Sequence, residues 1–110
     1  MQQERRKSER VRVHLNTEWK SERAKHEGTV ADISLNGCFI ATAEEVMVGD
    51  SVEVEIRVPS VMRMDLRGIV AHKIRGKGFA VRFKDLTGTE QGLLQVLLKT
   101  MKQRAPSPTA

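Results

Sequence analysis

The chain has little of several residue types, and each shortage excludes a class of protein. Its 110 residues include one cysteine, so no internal disulfide can form and a disulfide-stapled scaffold is excluded. A chain without disulfides suits a reducing compartment, and we expect a cytoplasmic protein. No apolar run approaches the ~18 residues of a membrane-spanning helix, and the N-terminus lacks the apolar stretch of a secretory signal. We therefore expect no membrane insertion.

Aromatic and catalytic residues are also scarce. There is no tyrosine, and the aromatic residues are Trp19, Phe39, Phe79 and Phe83. Barrels that bind single-stranded nucleic acid stack bases on aromatic platforms, so this composition argues against nucleic acid even though the net charge is +5. The three histidines have no metal-ligand spacing, and Cys38 has no histidine near it in sequence. We expect no enzyme activity, no metal and no cofactor.

The chain does have alternating hydrophobicity. The sequence predicts six strands near residues 11–19, 28–33, 38–41, 52–58, 62–72 and 79–83. Apolar and polar residues alternate in the first, fourth, fifth and sixth of these segments, as in half-buried strands. Pro59 ends the fourth segment. In the fifth segment the apolar parity shifts after Gly68, which predicts a β-bulge at that glycine. Six short strands of this kind are typical of a small antiparallel barrel.

The last part of the chain has helical spacing. Thr87 and Glu90 fit a capping box, and the apolar residues beyond them form one face that we expect to pack on the core. These residues are Leu93, Leu94, Leu97, Leu98 and Met101. The predicted fold is all-β with a C-terminal helix over about residues 87–103, in a domain of residues 11–103. We expect residues 1–10 to form a flexible arm and residues 104–110 a disordered tail.

Two short polar segments carry the functional signal. Arg5, Arg6 and Arg10 fit the pattern R-R-x-x-x-R, and guanidiniums are planar forks of donors that suit phosphate oxygens and the O6/N7 edge of guanine. Residues 32–37 read D-x-S-x-x-G. The carboxylate of this segment accepts from N–H groups such as those of guanine's Watson–Crick edge, and the hydroxyl donates or accepts. A site with both halves suits a guanine nucleotide that carries phosphate.

These two segments, in this order and roughly twenty residues apart, resemble the PilZ family, whose members bind the bacterial second messenger cyclic di-GMP. Residues 49–54 resemble the family's glycine before its middle strand, and residues 78–83 resemble its closing G-x-x-V-x-F. The resemblance covers nearly the whole chain. It implies a six-stranded barrel with a C-terminal helix, as the alternation predicts independently.

The resemblance also implies a ligand-binding site. The predicted ligand-binding residues are Arg5, Arg6, Arg10, Asp32, Ser34 and Gly37. The arginines would clamp the nucleotide from the arm, the carboxylate and hydroxyl would contact guanine or the ribose-phosphate frame, and the glycine would allow close backbone approach. The double arginine makes two stacked ligands plausible. His72, Lys73 and Arg82 could flank the ligand but stay outside the predicted site.

These expectations define a stand-alone cyclic di-GMP receptor, a monomer or weak dimer. Ligand binding would order the arm and signal to an unidentified downstream protein that controls motility, biofilm or virulence. The motif of residues 32–37 also suits a simple turn in which Asp32 and Ser34 satisfy backbone N–H groups. Two other functions stay open: a small basic barrel that binds single-stranded nucleic acid, and a ligand-independent adaptor that uses the apolar helix face.

Overall fold

The computed structural model describes residues 9–104, and the predictions for residues 1–8 and 105–110 lie outside the described part. The six predicted segments form strands: β1 Val11–Lys20, β2 Lys25–Ile33, β3 Gly37–Ala41, β4 Ser51–Val58, β5 Met62–Ile74 and β6 Gly78–Phe83. They are followed by the helix α1, Gly88–Arg104.

The six strands close into an antiparallel barrel in the order β1-β2-β3-β6-β5-β4, with β4 paired to β1. The apolar residues of each strand point inward because side chains alternate across a strand. On β4, for example, Val52, Val54, Ile56 and Val58 are buried while their neighbours are more exposed. The predicted fold class is confirmed.

The barrel has two ends that matter for function. At one end, which we call the helix end, β1 begins, residues 34–36 join β2 to β3, and the chain leaves β6 toward α1. At the opposite end, the loop end, the connections are residues 21–24, 42–50 and 75–77. Arg10, the described arginine of the first functional segment, therefore lies at the same end as residues 32–37.

Two details of the strands differ from the sequence-based expectation. β2 begins at Lys25, three residues before the predicted start, because the charged residues Lys25–Glu27 pair with the end of β1. The predicted bulge at Gly68 is wrong. Gly68 is buried in an unbroken alternation that continues to Val70, and the irregularity opposite β6 falls between Val70 and His72.

The helix closes its predicted capping box and packs on the barrel. Thr87 Oγ1 accepts from the Glu90 backbone N–H at 3.0 Å, and Glu90 Oε1 accepts from the Thr87 N–H at 3.0 Å. Leu94 and Leu97 are fully buried in the core, whereas Leu93 is exposed and was wrongly assigned to the packed face. In the range 9–104 no helix is long and apolar enough to cross a membrane.

Candidate ligand-binding site

The structure brings one residue from each functional segment into contact at the helix end. Arg10 lies one residue before β1, and Asp32 lies near the end of the neighbouring strand β2. Arg10 Nη1 is 3.7 Å from Asp32 Oδ1, with side-chain exposures of 66% and 24%. This separation is longer than a hydrogen bond, so the pair is electrostatic and leaves acceptor positions on the carboxylate open. Arg5 and Arg6 lie outside the described residues.

Ser34 forms the turn between β2 and β3. Its hydroxyl oxygen accepts from the backbone N–H groups of Asn36 at 3.1 Å and Gly37 at 3.2 Å. Its own N–H donates to the Gly37 carbonyl at 2.8 Å, and the residue is only 5% exposed. Ser34 therefore performs the turn-forming role that the motif also allows. A direct contact with a ligand stays a prediction.

Gly37 is required by the neighbouring strand. A Cβ at this position would overlap the Val81 carbonyl oxygen on β6. The close backbone approach predicted for this glycine thus exists, but the structure shows it between β3 and β6. The turn is fixed to β6 as well, because the Phe83 N–H donates to the Asn36 carbonyl at 2.8 Å. Asp32 is consequently mounted beside a rigid turn.

A row of outward residues crosses the barrel beside this turn. Register pairs Arg12 with Asp32, Asp32 with Phe39, Phe39 with Ala80, and Ala80 with His72. Paired residues in an antiparallel sheet share one face. Phe39 and Ala80 are half-buried, and Arg12 and His72 are exposed. The face thus has a small apolar floor with a carboxylate on one side and cationic or titratable groups at both edges.

The residues of this row that sequence reasoning missed are Arg12, Phe39 and Ala80. Alternation shows which residues point outward on each strand, but it does not show which strands lie side by side. β3 and β6 are neighbours in the sheet although β4 and β5 lie between them in sequence. A prediction of which strand residues pair with one another would have identified these three residues.

The start of the described chain is also held to the helix. Lys102 Nζ donates to Glu9 Oε1 at 2.9 Å, and both side chains are exposed. A pair of this kind contributes about 0–1 kcal/mol because solvent screens it. The pair nevertheless places the last residues before β1 against the C-terminal part of α1. A change in the N-terminal segment therefore has a direct path to the helix.

Cys38 lies beside the site but is buried inside the barrel. Burial, together with the smaller effect of the negative charge of Asp32, raises the pKa of its thiol from 9.0 to about 12. A thiol with such a pKa is protonated at neutral pH and is a poor nucleophile. Among the described residues no group of three or more His, Cys, Asp or Glu side chains could hold a metal ion.

The fold and the site define a class: a small closed antiparallel barrel with a C-terminal helix and an arginine–aspartate pair where the chain enters the barrel. The PilZ domain family model matches residues 4–99, so the chain belongs to the PilZ family. No curated protein sequence matches the chain.

Solved structures show the same fold. The PilZ domain of YcgR from Escherichia coli, solved with c-di-GMP, has a TM-score of 0.79 at 15% identity, and the match covers 92% of this chain and 94% of that one. MotI/DgrA, the Bacillus subtilis inhibitor of motility, has a TM-score of 0.77 at 15% identity, with 93% of this chain covered. This chain spans 53% of that protein, about half its length.

A third structure is more distant. The PilZ domain of CeSA from a cellulose-synthesizing bacterium has a TM-score of 0.70 at 13% identity. The match covers 86% of this chain and 99% of that domain. At such identities the three likenesses establish the fold, and the ligand has to be argued from this chain's own residues.

Proposed function

We propose that this protein is a cyclic di-GMP receptor that acts in the cytoplasm and signals to a downstream protein. The observation that carries the proposal is the contact between Arg10 and Asp32, 3.7 Å apart. It joins the last arginine of R-R-x-x-x-R to the carboxylate of D-x-S-x-x-G, as a shared site requires. The YcgR PilZ domain, which has the same fold, was solved with this ligand.

The chemistry of the helix end suits an anionic guanine nucleotide. Asp32 has open acceptor positions for guanine N–H groups, and Arg10 is exposed and free to turn toward a phosphate. Arg5 and Arg6 would add two guanidiniums to the same clamp. In this proposal Gly37 and Ser34 contribute by holding the turn, so that the carboxylate beside it keeps its position.

The contact between Glu9 and Lys102 supports a route for the signal. If the segment of residues 5–10 closes on the ligand, Glu9 moves with Arg10 and its pairing with Lys102 changes. The exposed surface of α1 beside the site would then differ between the two states, which is the kind of change a protein partner can read. Slower amide exchange of residues 5–10 on ligand addition would test this step.

The aromatic residues argue against the nucleic-acid alternative. Trp19, Phe79 and Phe83 are buried, and Phe39 is half-buried, so all four aromatic side chains of the chain belong largely to the packed interior. Single-strand binders need exposed aromatic faces on which bases stack. The helix-face adaptor is likewise disfavoured, because Leu94 and Leu97 face the core.

Calorimetric titration with cyclic di-GMP tests the proposal. We expect binding by the wild-type protein and a roughly tenfold to hundredfold loss in Arg10→Gln and in Asp32→Asn, since each charge-assisted hydrogen bond contributes about 1.5–3 kcal/mol. Arg75→Gln at the loop end and Asp65→Asn on β5 make the same charge changes at exposed positions away from the site and should bind like wild type. The stoichiometry would distinguish one ligand from a stacked pair.

Two results would overturn the proposal. The first is no heat and no thermal stabilisation of the wild-type protein at high ligand concentration. The second is equal weakening by the site variants and their controls, which would show only a response to net charge. A parallel titration with a single-stranded oligonucleotide would then decide whether the nucleic-acid alternative replaces the receptor.

A further inference from the structure

Arg82 is an exposed arginine one residue before the end of the short strand β6. Its neighbours along the strand, Val81 and Phe83, are buried, so the Arg82 side chain points outward. Register places it opposite Gly37 on β3. Arg82 therefore lies on the same outer surface that carries Asp32 and Phe39.

The arginine side chains of β4 and β5 each have a partner within the protein. Arg57 and Arg63 both pair with Glu55, at 2.9 and 3.0 Å. Arg67 donates to the Asp85 carbonyl at 2.9 Å and lies 3.5 Å from Glu90. The Arg82 side chain has neither an ion pair nor a hydrogen bond among the described residues. Its five N–H donors are therefore available to solvent or to a ligand.

The position of Arg82 is complementary to that of Arg10. Asp32 and Arg82 are separated by two strand spacings of about 4.8 Å and one two-residue step of about 6.8 Å, so their backbones are about 12 Å apart. Arg10 approaches Asp32 from the end of the barrel, whereas Arg82 approaches from the far side of Phe39. A ligand lying on the apolar floor between them would have one guanidinium at each edge.

We infer that Arg82 is a further ligand-anchoring residue, which holds a phosphate of the anionic nucleotide from the side opposite the N-terminal segment. The inference rests on the proposed function and extends its site from the helix end onto the outer face of β3 and β6. The guanidinium fork matches two phosphate oxygens at once, which a lysine does not. Asp32 would then read the base while arginines on both flanks hold the charged frame.

The test compares Arg82→Gln with Arg75→Gln in a titration with cyclic di-GMP. Both changes remove one exposed positive charge, and Arg75 lies in the turn at the loop end. We expect Arg82→Gln to weaken binding about tenfold and Arg75→Gln to leave it unchanged. Arg82→Lys should recover only part of the loss, because it restores the charge without the fork. Thermal unfolding of the free proteins should not distinguish Arg82→Gln from wild type.

Each outcome has a defined meaning. Wild-type affinity in Arg82→Gln, with weakened binding in Arg10→Gln, would overturn this inference and leave the receptor intact. Equal loss in Arg82→Gln and Arg75→Gln would also overturn it, because a general electrostatic effect would suffice. Failure of the wild-type protein to bind would overturn the receptor and this inference together.

Discussion

The two ends of the barrel differ in their residues: aromatic side chains pack at the loop end, and charged side chains lie at the surface of the helix end. At the loop end the interior is sealed by Trp19, which is 1% exposed and lies 4.7 Å from the His26 ring and 4.8 Å from the Phe79 ring. At the helix end the outward residues are charged and accessible, as Arg10 and Asp32 show. One end closes the core with aromatic packing, and the other leaves hydrogen-bonding groups open to solvent.

This difference separates stability from binding. Two polar side chains at the loop end form hydrogen bonds within the protein: Lys73 Nζ donates to the Val46 carbonyl at 3.1 Å, and Asp50 accepts from the Met47 N–H at 3.0 Å. At the helix end Arg82 is left without a partner in the described range. Unused donors beside an open carboxylate are what a ligand needs, and they cost little while water solvates them. Substitutions at the two ends should therefore have different consequences.

The largest expected effect is the loss of the loop-end seal. Trp19→Ala should destabilise the protein by about 3–5 kcal/mol, because it removes the largest fully buried side chain and leaves a cavity. Urea unfolding measures this loss. Trp19→Phe should cost less, since it keeps an aromatic ring and removes the indole Nε1, which is buried without a hydrogen-bond partner.

The matched change at the helix end is Asp32→Asn, which should weaken ligand binding and leave urea unfolding nearly unchanged. If Trp19→Ala cost less than about 1 kcal/mol, or if Asp32→Asn destabilised the protein as much as Trp19→Ala, the division between the two ends would be wrong.

The sequence predicts the strands better than it predicts their neighbours. The hydrophobic pattern located all six strands, four of them by alternation, and it failed at Lys25–Glu27, where pairing with β1 extends β2 without any apolar signal. It also misplaced the bulge, because Gly68 takes an inward position like the apolar residues around it. The motifs singled out Arg10 and Asp32 as ligand-binding residues, but only the structure shows that the two lie 3.7 Å apart. The placement of Arg82 on the same outer face depends on the pairing of β3 with β6, which are not consecutive in sequence and which no local pattern pairs.

Gly37→Ala is expected to have the next largest effect. Its Cβ would overlap the Val81 carbonyl, so β3 and β6 must separate, at a cost of about 1–3 kcal/mol. Gly92→Ala is the control. It lies in α1 with no atom near its added Cβ, and it should stabilise the protein by about 0.5–1 kcal/mol. A Gly37→Ala protein as stable as wild type that no longer binds ligand would instead favour a direct role of Gly37 at the ligand.

Cys38 predicts a loss of stability at alkaline pH. Its pKa is about 12 in the folded protein against 9.0 ordinarily, so the folded state holds the proton more tightly. The stabilisation is complete below pH 9 and is lost as the pH rises from 9 toward 12, by roughly 1.4 kcal/mol for each pH unit. Wild type should therefore lose about that much relative to Cys38→Ala between pH 8 and pH 10. If the free energies of unfolding of the two proteins had the same pH dependence, the pKa of the Cys38 thiol would not be raised by burial.

The smallest expected effect concerns the start of α1. A substitution there should change the stability of the helix without changing ligand affinity. Thr87→Ala removes a reciprocal cap and should cost about 1 kcal/mol in urea unfolding. Ligand affinity should stay at the wild-type value, because Glu90 and Lys102 are about 18 Å apart along the helix axis. Thr87→Ser keeps the capping oxygen and should remain as stable as wild type. If Thr87→Ala weakened ligand binding and Thr87→Ser did not, the whole helix, and not only its end near Glu9, would be coupled to the site.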